Sequence, residues 1–405
     1  MRDPSLERRE ASRPTGPSAG NAVARPAGSI TVISRSDLAH CPQWRLAFAG
    51  KRKDRRFYEL VEDTIPEGFD YRYFAIRDEQ GEICAVQPFF LLDQDLLVGL
   101  GPTVAAVAER IRRLFPSFLK LRTLMVGCVA GEGQLDGDDA SWRVTAARLA
   151  AGLLAEARAS RAAMIVLKEY PAAYREALGC FLDYGFGRIP SLPMTCLAID
   201  YASFDDYMTK ALNSATRRKL RKKFLATAAA PAIVMSVIED AGPVVDEIYP
   251  LYLQVYERSK LHFEKLTADF LARLGREMPD KVRFLIWRQQ GRIVAFILVM
   301  VEGDSLYAEY LGLDYRIALD LHLYFYAVRD MTGWAIANGY KRISSSGLNY
   351  DPKLHLRHRL APIDLYVRMT SPIANMLMQR FLPLIEPTRA DPILKKFANY
   401  HELWG

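Results

Sequence analysis

Cysteine and histidine are scarce in this chain of 405 residues. The five cysteines (Cys41, Cys84, Cys128, Cys180 and Cys196) include no close pair of the kind that holds zinc. Their odd number on apolar segments reads as reduced, buried thiols, and no metal is expected. His355 and His358 flank Arg357 and Arg359 with no acidic ligand beside them, which argues against a zinc site there. No apolar run approaches the roughly 18 residues that cross a bilayer, so no transmembrane segment is expected. The N-terminal arginines precede no apolar core, so no signal peptide is expected and the cytoplasm is the expected location. Two catalytic signatures are also missing. Serines 344–346 lack the glycines and the Asp–His pairing of a nucleophile elbow. The glycines at 131, 133 and 137 are not followed by the Lys-Ser/Thr of a phosphate-binding loop.

What is present is enough apolar residue, half of the chain, for ordinary globular cores, and a length that favours two domains. The formal charge of +7 matters by its placement more than its sum. Residues 1–29 are rich in Arg, Pro, Ser, Gly and Ala with almost nothing bulky to bury, so they read as a disordered tail. Residues 30–200 and 201–405 read as two α/β units. The first has strands near 71–77, 83–92, 123–128, 163–168 and 195–199, and helices near 141–158 and 174–184. The second opens with capped helical sequence over 201–224, then a strand at 231–238 and helices at 243–259 and 267–278.

The stretch 282–346 organises the second unit. Strands at 282–288, 293–301 and 305–311 are joined by turns at Gly291 and Gly303, and the middle one is apolar on both faces. A helix over 319–337 stops at Asn338-Gly339, and 342–346 returns as a strand beside the third. The first hairpin of this stretch repeats an earlier one. Phe74, Ile76, Gln80, Gly81, Ile83 and Ala85 match Phe284, Ile286, Gln290, Gly291, Ile293 and Ala295 at one constant offset.

Several residues carry candidate chemistry. Arg217, Arg218, Lys219, Arg221, Lys222 and Lys223 follow Ser214 on a helix whose Leu220 and Phe224 share a face. Six like charges this close favour an anionic partner: a coenzyme phosphate, an acyl-carrier protein, an acyl-tRNA or a lipid headgroup. No reading motif accompanies them, so sequence-specific nucleic-acid recognition is not expected. Glu309 lies mid-strand and could deprotonate an amine. Tyr350 and Lys353 lie beyond the end of the 342–346 strand, where open α/β sheets collect ligands. Tyr350 could protonate a leaving thiolate and Lys353 could bind a carboxylate or thioester oxygen. His262 and Glu264 lie in a loop and could order substrate. The apolar tail 373–385 packs on the first unit by default, with a dimer or peripheral membrane contact as alternatives.

Three motifs carry a family resemblance: the Ser/Thr-x-x-x-basic cluster at 214–223, the Tyr350-Asp351-Pro352-Lys353 step after the last core strand, and Phe181-Leu182-Asp183-Tyr184-Gly185-Phe186. With the element order, they resemble the FemAB-like branch of the GNAT acyltransferase superfamily, the group labelled BioF2-like or cellulose-biosynthesis-type acetyltransferase domains. The resemblance implies tandem GNAT-like halves, each a mixed, mostly antiparallel sheet flanked by helices. It implies N-acyl transfer from acetyl-CoA or another acyl-CoA to a small-molecule or envelope-precursor amine. The implied roles are Glu309 as base, Tyr350 and Lys353 at the thioester, and Gly312, Arg316, Ser214, Arg217, Arg218, Arg221 and Lys222 as cofactor-binding residues. In the loop that would hold the pyrophosphate, 312–318, only Gly312 and Arg316 suit an anion and Asp314 opposes one. An acyl-carrier protein or an aminoacyl-tRNA is therefore the alternative donor, and a non-catalytic binding protein the third reading.

Overall fold

The computed structural model describes residues 28–95, 120–259, 262–384, 386–389 and 391–405. The expected tail lies outside them except for Gly28 and Ser29, as does Ile385 of the apolar C-terminal stretch. Among the described residues, fourteen strands form two sheets of seven. The strands are β1 (Ser29–Ile33), β2 (Asp70–Arg77), β3 (Ile83–Asp95), β4 (Lys120–Val126), β5 (Met164–Pro171), β6 (Gly187–Pro190), β7 (Met194–Ala198), β8 (Ile233–Ile238), β9 (Val282–Gln289), β10 (Arg292–Glu302), β11 (Ser305–Leu313), β12 (Arg342–Ser345), β13 (Arg359–Ala361) and β14 (Ile363–Met369). The helices that matter here are α1 (Arg55–Thr64), α2 (Trp142–Ala159), α3 (Phe204–Ala211), α4 (Ser214–Ala228), α5 (Val245–Tyr256), α6 (Ala268–Glu277), α7 (Leu323–Ala337), α8 (Tyr350–His355) and α9 (Pro372–Phe381).

The two sheets repeat one plan. One runs β1-β2-β3-β4-β5-β14-β6 and the other β8-β9-β10-β11-β12-β7-β13. In each, the fourth and fifth strands are parallel and the rest antiparallel. The sixth position of each sheet is filled from the other half: β14 enters the first sheet between β5 and β6, and β7 enters the second between β12 and β13. The repeated hairpin occupies equivalent places, but its turns differ. Gln290 and Gly291, both at positive φ, make a two-residue turn, whereas Asp78 organises a longer loop by accepting from the N–H groups of Gln80 and Glu82.

Three layers of core follow. The outer face of the first sheet packs on α2 and that of the second on α4 and α7. Between the sheets lies one apolar core shared by both halves, joining Phe57, Val61, Phe90 and Val166 to Leu251, Phe270, Phe284 and Leu298. Each such side chain contributes about 1.5–3 kcal/mol on burial, so the halves stabilise each other. Local signals set the element ends. Asn213 accepts from the Thr216 N–H to start α4, and Thr267 accepts from Phe270 to start α6. The expected helix over 319–337 begins only at Leu323, because His322 is left-handed with φ 49°. The expected helix at 174–184 is broken into short pieces around Gly179. Of the five cysteines, all free, Cys41 and Cys128 are buried, but Cys84 is exposed, contrary to the sequence reading.

Candidate active site

The β11–β12 ladder is short. It pairs Ser305–Ala308 with Arg342–Ser345 and stops, while β11 runs on to Leu313. At the same point β11 carries a bulge against β10. Leu298 faces Tyr310 and Val299 faces Ala308, so Glu309 is the extra residue. A bulge aims consecutive side chains at one face. Glu309 meets Arg52 of the first half, and Tyr310 meets Glu264 in the loop before α6 of the second. The equivalent β3–β4 ladder has no bulge.

Glu309 enters a buried ionic lattice. Its Oε1 accepts from Arg52 Nε at 2.8 Å, and its Oε2 lies 3.3 Å from Lys53 Nζ. Both cations also hold Glu132, Lys53 at 3.0 Å, and Arg52 stacks 3.6 Å from the centre of the Tyr307 ring. Two cations and two carboxylates balance. Burial opposes the charges of Arg52, Lys53 and Glu132, yet Glu132 and Glu309 raise the Arg52 pKa, and Arg52 with Lys53 holds Glu132 down at about 2.

A second cluster lies beside it. Tyr310 Oη donates to Glu264 at 2.8 Å, and Lys168 Nζ donates to Glu169 and to the Gly131 carbonyl, each at 2.8 Å. The Glu264 carboxyl is turned inward. Burial raises its pKa, and Lys168 and Tyr310 only partly offset this. Glu169 sits at φ 57°, a left-handed strain in a non-glycine residue, and its Oε1 accepts from Ser191 at 3.2 Å. His262 stacks on Tyr256, with Nε2 2.7 Å from the Tyr256 carbonyl oxygen, which holds the loop leading to Glu264.

Tyr350 and Lys353 are both buried, on α8 at the end of β12. Tyr350 Oη donates to the Pro193 carbonyl at 2.8 Å, and burial raises its pKa. Lys353 Nζ donates to the carbonyls of Ser346 and Leu348 at 2.6 and 3.0 Å, and burial lowers its pKa to about 7. Nearby His358 is pushed down to about 3 by burial and Lys353, and its Nδ1 has no partner. Since Ala308 pairs with Ser345, Glu309 and Ser346 are the first residues past the fork, so Glu309 and the loop pinned by Lys353 flank it.

The anion-binding candidates divide. Gly312 lies within β11, not in the loop. A Cβ there would approach Phe296 to 2.2 Å and the Tyr252 backbone nitrogen to 2.9 Å, so the glycine lets α5 pack onto the strand. Asp314 accepts from both the backbone N–H and the guanidinium of Arg316, and it also caps this loop. Arg258 stacks on Tyr315 at 4.1 Å, and Lys223 lies 4.2 Å from the centre of the Phe325 ring. Thr227 Oγ1 donates to the Leu321 carbonyl at 2.6 Å, so the C-terminal end of α4 reaches this loop. That brings Lys222 and Lys223 toward it. Ser214, Arg217 and Arg218 lie two or more turns away, and Arg217 caps α3 through the carbonyls of Thr209 and Leu212. Arg218, Arg221 and Lys222 are exposed.

Sequence reasoning missed Arg52, Lys53, Glu132, Lys168, Glu169 and Tyr310. The available signals were a charge ending the buried strand at Lys168 and the basic run at 51–56. The glycines around Glu132 serve packing. A Cβ on Gly133 would lie 2.6 Å from the Lys168 carbonyl oxygen, and one on Gly131 would strike Lys53.

Residues 214–353 match the acetyltransferase (GNAT) domain family. That span runs from the start of α4 to Lys353 and includes the fork. Among solved structures, FemX is similar with a TM-score of 0.50 and 12% identity over 88% of this chain and all of its own. L-PGS from Bacillus licheniformis aligns at 0.44 and 15% identity over 64% of this chain and 85% of its own. A tandem GNAT protein from the clavulanic acid biosynthesis pathway aligns at 0.42 and 10% over 78% and 88%. No curated protein matches the sequence.

Proposed function

Because this chain is an acyltransferase of the GNAT superfamily with a FemX-like fold, we propose that it transfers an acyl group from a thioester to an amine where β11 and β12 part. The observation that carries this is the fork itself, with the Glu309 bulge at its mouth. A GNAT fold generally uses acyl-CoA, and the proposed donor is acetyl-CoA or a longer acyl-CoA. Its thioester arm would enter the fork, and its phosphates would meet Arg316, Arg258, Lys222 and Lys223. The amine nitrogen attacks the carbonyl carbon, the C–S bond breaks, and the amine gives up a proton to a carboxylate while the thiolate gains one. No covalent enzyme intermediate is needed.

The units taken as 30–200 and 201–405 act together in this scheme. The second supplies the fork, and the first supplies Arg52, Lys53, Lys168 and Glu169. Both Glu309 oxygens are held by cations, so in this scheme it is a fixed, compensated anion that anchors the bulge at the mouth of the fork. Glu264, raised by burial, is the better proton acceptor. Lys353, near 7, is matched to protonating a thiolate, whereas the Tyr350 hydroxyl is committed to Pro193. The acceptor is a small-molecule or envelope-precursor amine, and the cytoplasm is the proposed location. Thiol release from acetyl-CoA and longer acyl-CoAs with a panel of amines tests the reading. Glu264→Gln lowers kcat by about 10²-fold or more with little change in KM, and equal rates in variant and wild type contradict it.

A specific observation favours a second reading. The Asp314 carboxylate already fills the loop where a pyrophosphate would bind, and its pKa is lowered mainly by the Arg316 hydrogen bonds. A donor presented by an acyl-carrier protein or an aminoacyl-tRNA would not need that loop and would meet the exposed basic face of α4. Transfer from such a donor, with none from any acyl-CoA, would decide for it.

A further inference from the structure

Helix α9 is built inside out. Its amide side chains, Asn375 and Gln379, face the protein. Asn375 Nδ2 donates to the Gly185 carbonyl at 2.9 Å, its Oδ1 accepts from the Met369 N–H at 2.9 Å, and Gln379 Nε2 donates to the Val367 carbonyl at 3.1 Å. Its large apolar residues face water. Ile373, Met376, Leu377 and Phe381 fall at helical spacing on one face, and Leu384 extends it, all of them between 51% and 76% exposed. Leu182, 50% exposed, lies three residues from Gly185. An apolar face this continuous on a helix that makes its own polar contacts inward is a contact surface, not a packing remnant.

Beside it lies uncompensated positive charge. The Arg368 guanidinium and the Asn375 side chain both come within 4.0 Å of a Cβ built on Gly185, so they adjoin. Arg368 Nε is buried without a partner, and burial together with Arg158 lowers the Arg368 pKa. Among the described residues, neither Arg158 nor Arg368 makes an ion pair with a carboxylate. Arg380 adds an exposed cation at the end of α9. The geometry points to an anionic bilayer as the occupant: the α9 face enters the interface and Arg158, Arg368 and Arg380 take lipid phosphates. The unpaired arginines decide between this and a second copy of the chain, because a self-contact would stack the same cations on each other. The surface lies at the Met164–Ile165 end of β5, away from Lys168 and Glu169, so docking is independent of the proposed acyl transfer.

Co-sedimentation of the full chain with vesicles tests this. Phosphatidylcholine vesicles containing phosphatidylglycerol bind the protein, and phosphatidylcholine alone binds it more weakly. Leu377→Ser and Phe381→Ser, both at exposed positions, each lower binding by about tenfold. Arg158→Gln lowers it about fivefold on the anionic vesicles alone. Unchanged far-UV circular dichroism shows that the variants fold. Three results overturn the proposal: no binding to anionic vesicles at low salt, equal binding by the variants, or a dimer abolished by Phe381→Ser in a protein that binds no vesicle.

Discussion

Lys353 holds an ammonium against two carbonyls and no carboxylate, and this residue should govern much of the pH behaviour. The unfolded chain keeps this proton up to about pH 10.5, but the folded protein gives it up near 7. Between those values the unfolded state binds more protons, so the Lys353 contribution to stability climbs as pH rises from 7 to 10.5. His358 acts in a lower window: buried neutral, it makes stability fall as pH drops from 6.5 toward 3. Thermal unfolding of wild type and Lys353→Met checks the first statement. The melting temperature of wild type rises relative to the variant from pH 7 to 10, and a constant gap contradicts it. Glu132 gives a second prediction. Glu132→Gln leaves Arg52 and Lys53 sharing one fewer anion in a buried lattice, at a cost of about 3–5 kcal/mol by urea unfolding. At this scale the sequence was only partly legible. Glu309, Tyr350 and Lys353 stand out as candidates because a charge or phenol on a core element is conspicuous. Glu132 and Arg52 do not, because their partners lie far off in sequence, Glu132 some 80 residues from Arg52 and Glu309 in the other half of the chain.

Elements were the most legible level. Alternation, turn glycines and caps are local, and so 282–346 reads correctly as three antiparallel strands, a crossover helix and a parallel strand. What failed were boundaries set by tertiary contacts. The 314–322 loop looks helical in its last turn, but Asp314 caps it and His322 breaks it. Gly312 invites a phosphate reading, yet its missing Cβ is used by Phe296 and Tyr252. Gly312→Ala therefore forces α5 off β11 and costs about 1–3 kcal/mol, measured by denaturant unfolding; a neutral effect would show that the close approach is not needed. The bulge that aims Glu309 and Tyr310 at one face has no mark in the sequence, because one extra residue in a strand preserves its composition.

For the whole molecule, the reciprocal exchange of β7 and β14 is the defining feature. The repeat of the hairpin hints at two similar halves, but nothing local says that each completes its sheet with the last strand of the other. Together with the shared core between the sheets, this makes the halves one cooperative unit. A chain ending after Ala361 lacks β14, which leaves a gap between β5 and β6, and neither half should fold from it. Full-length protein should unfold in one transition by both fluorescence and circular dichroism; two separated transitions contradict this. Joining the halves also brings Arg52 and Lys53 of the first onto Glu309 at the fork of the second, the candidate site.

The most direct measurement is a single-turnover reaction of enzyme loaded with an acyl donor, followed after addition of amine in wild type and Glu264→Gln. Direct attack at the fork predicts that free thiol and acylated amine appear together and that the variant slows both about 10²-fold or more. Thiol released ahead of acylated amine, or a full rate in the variant, would contradict it.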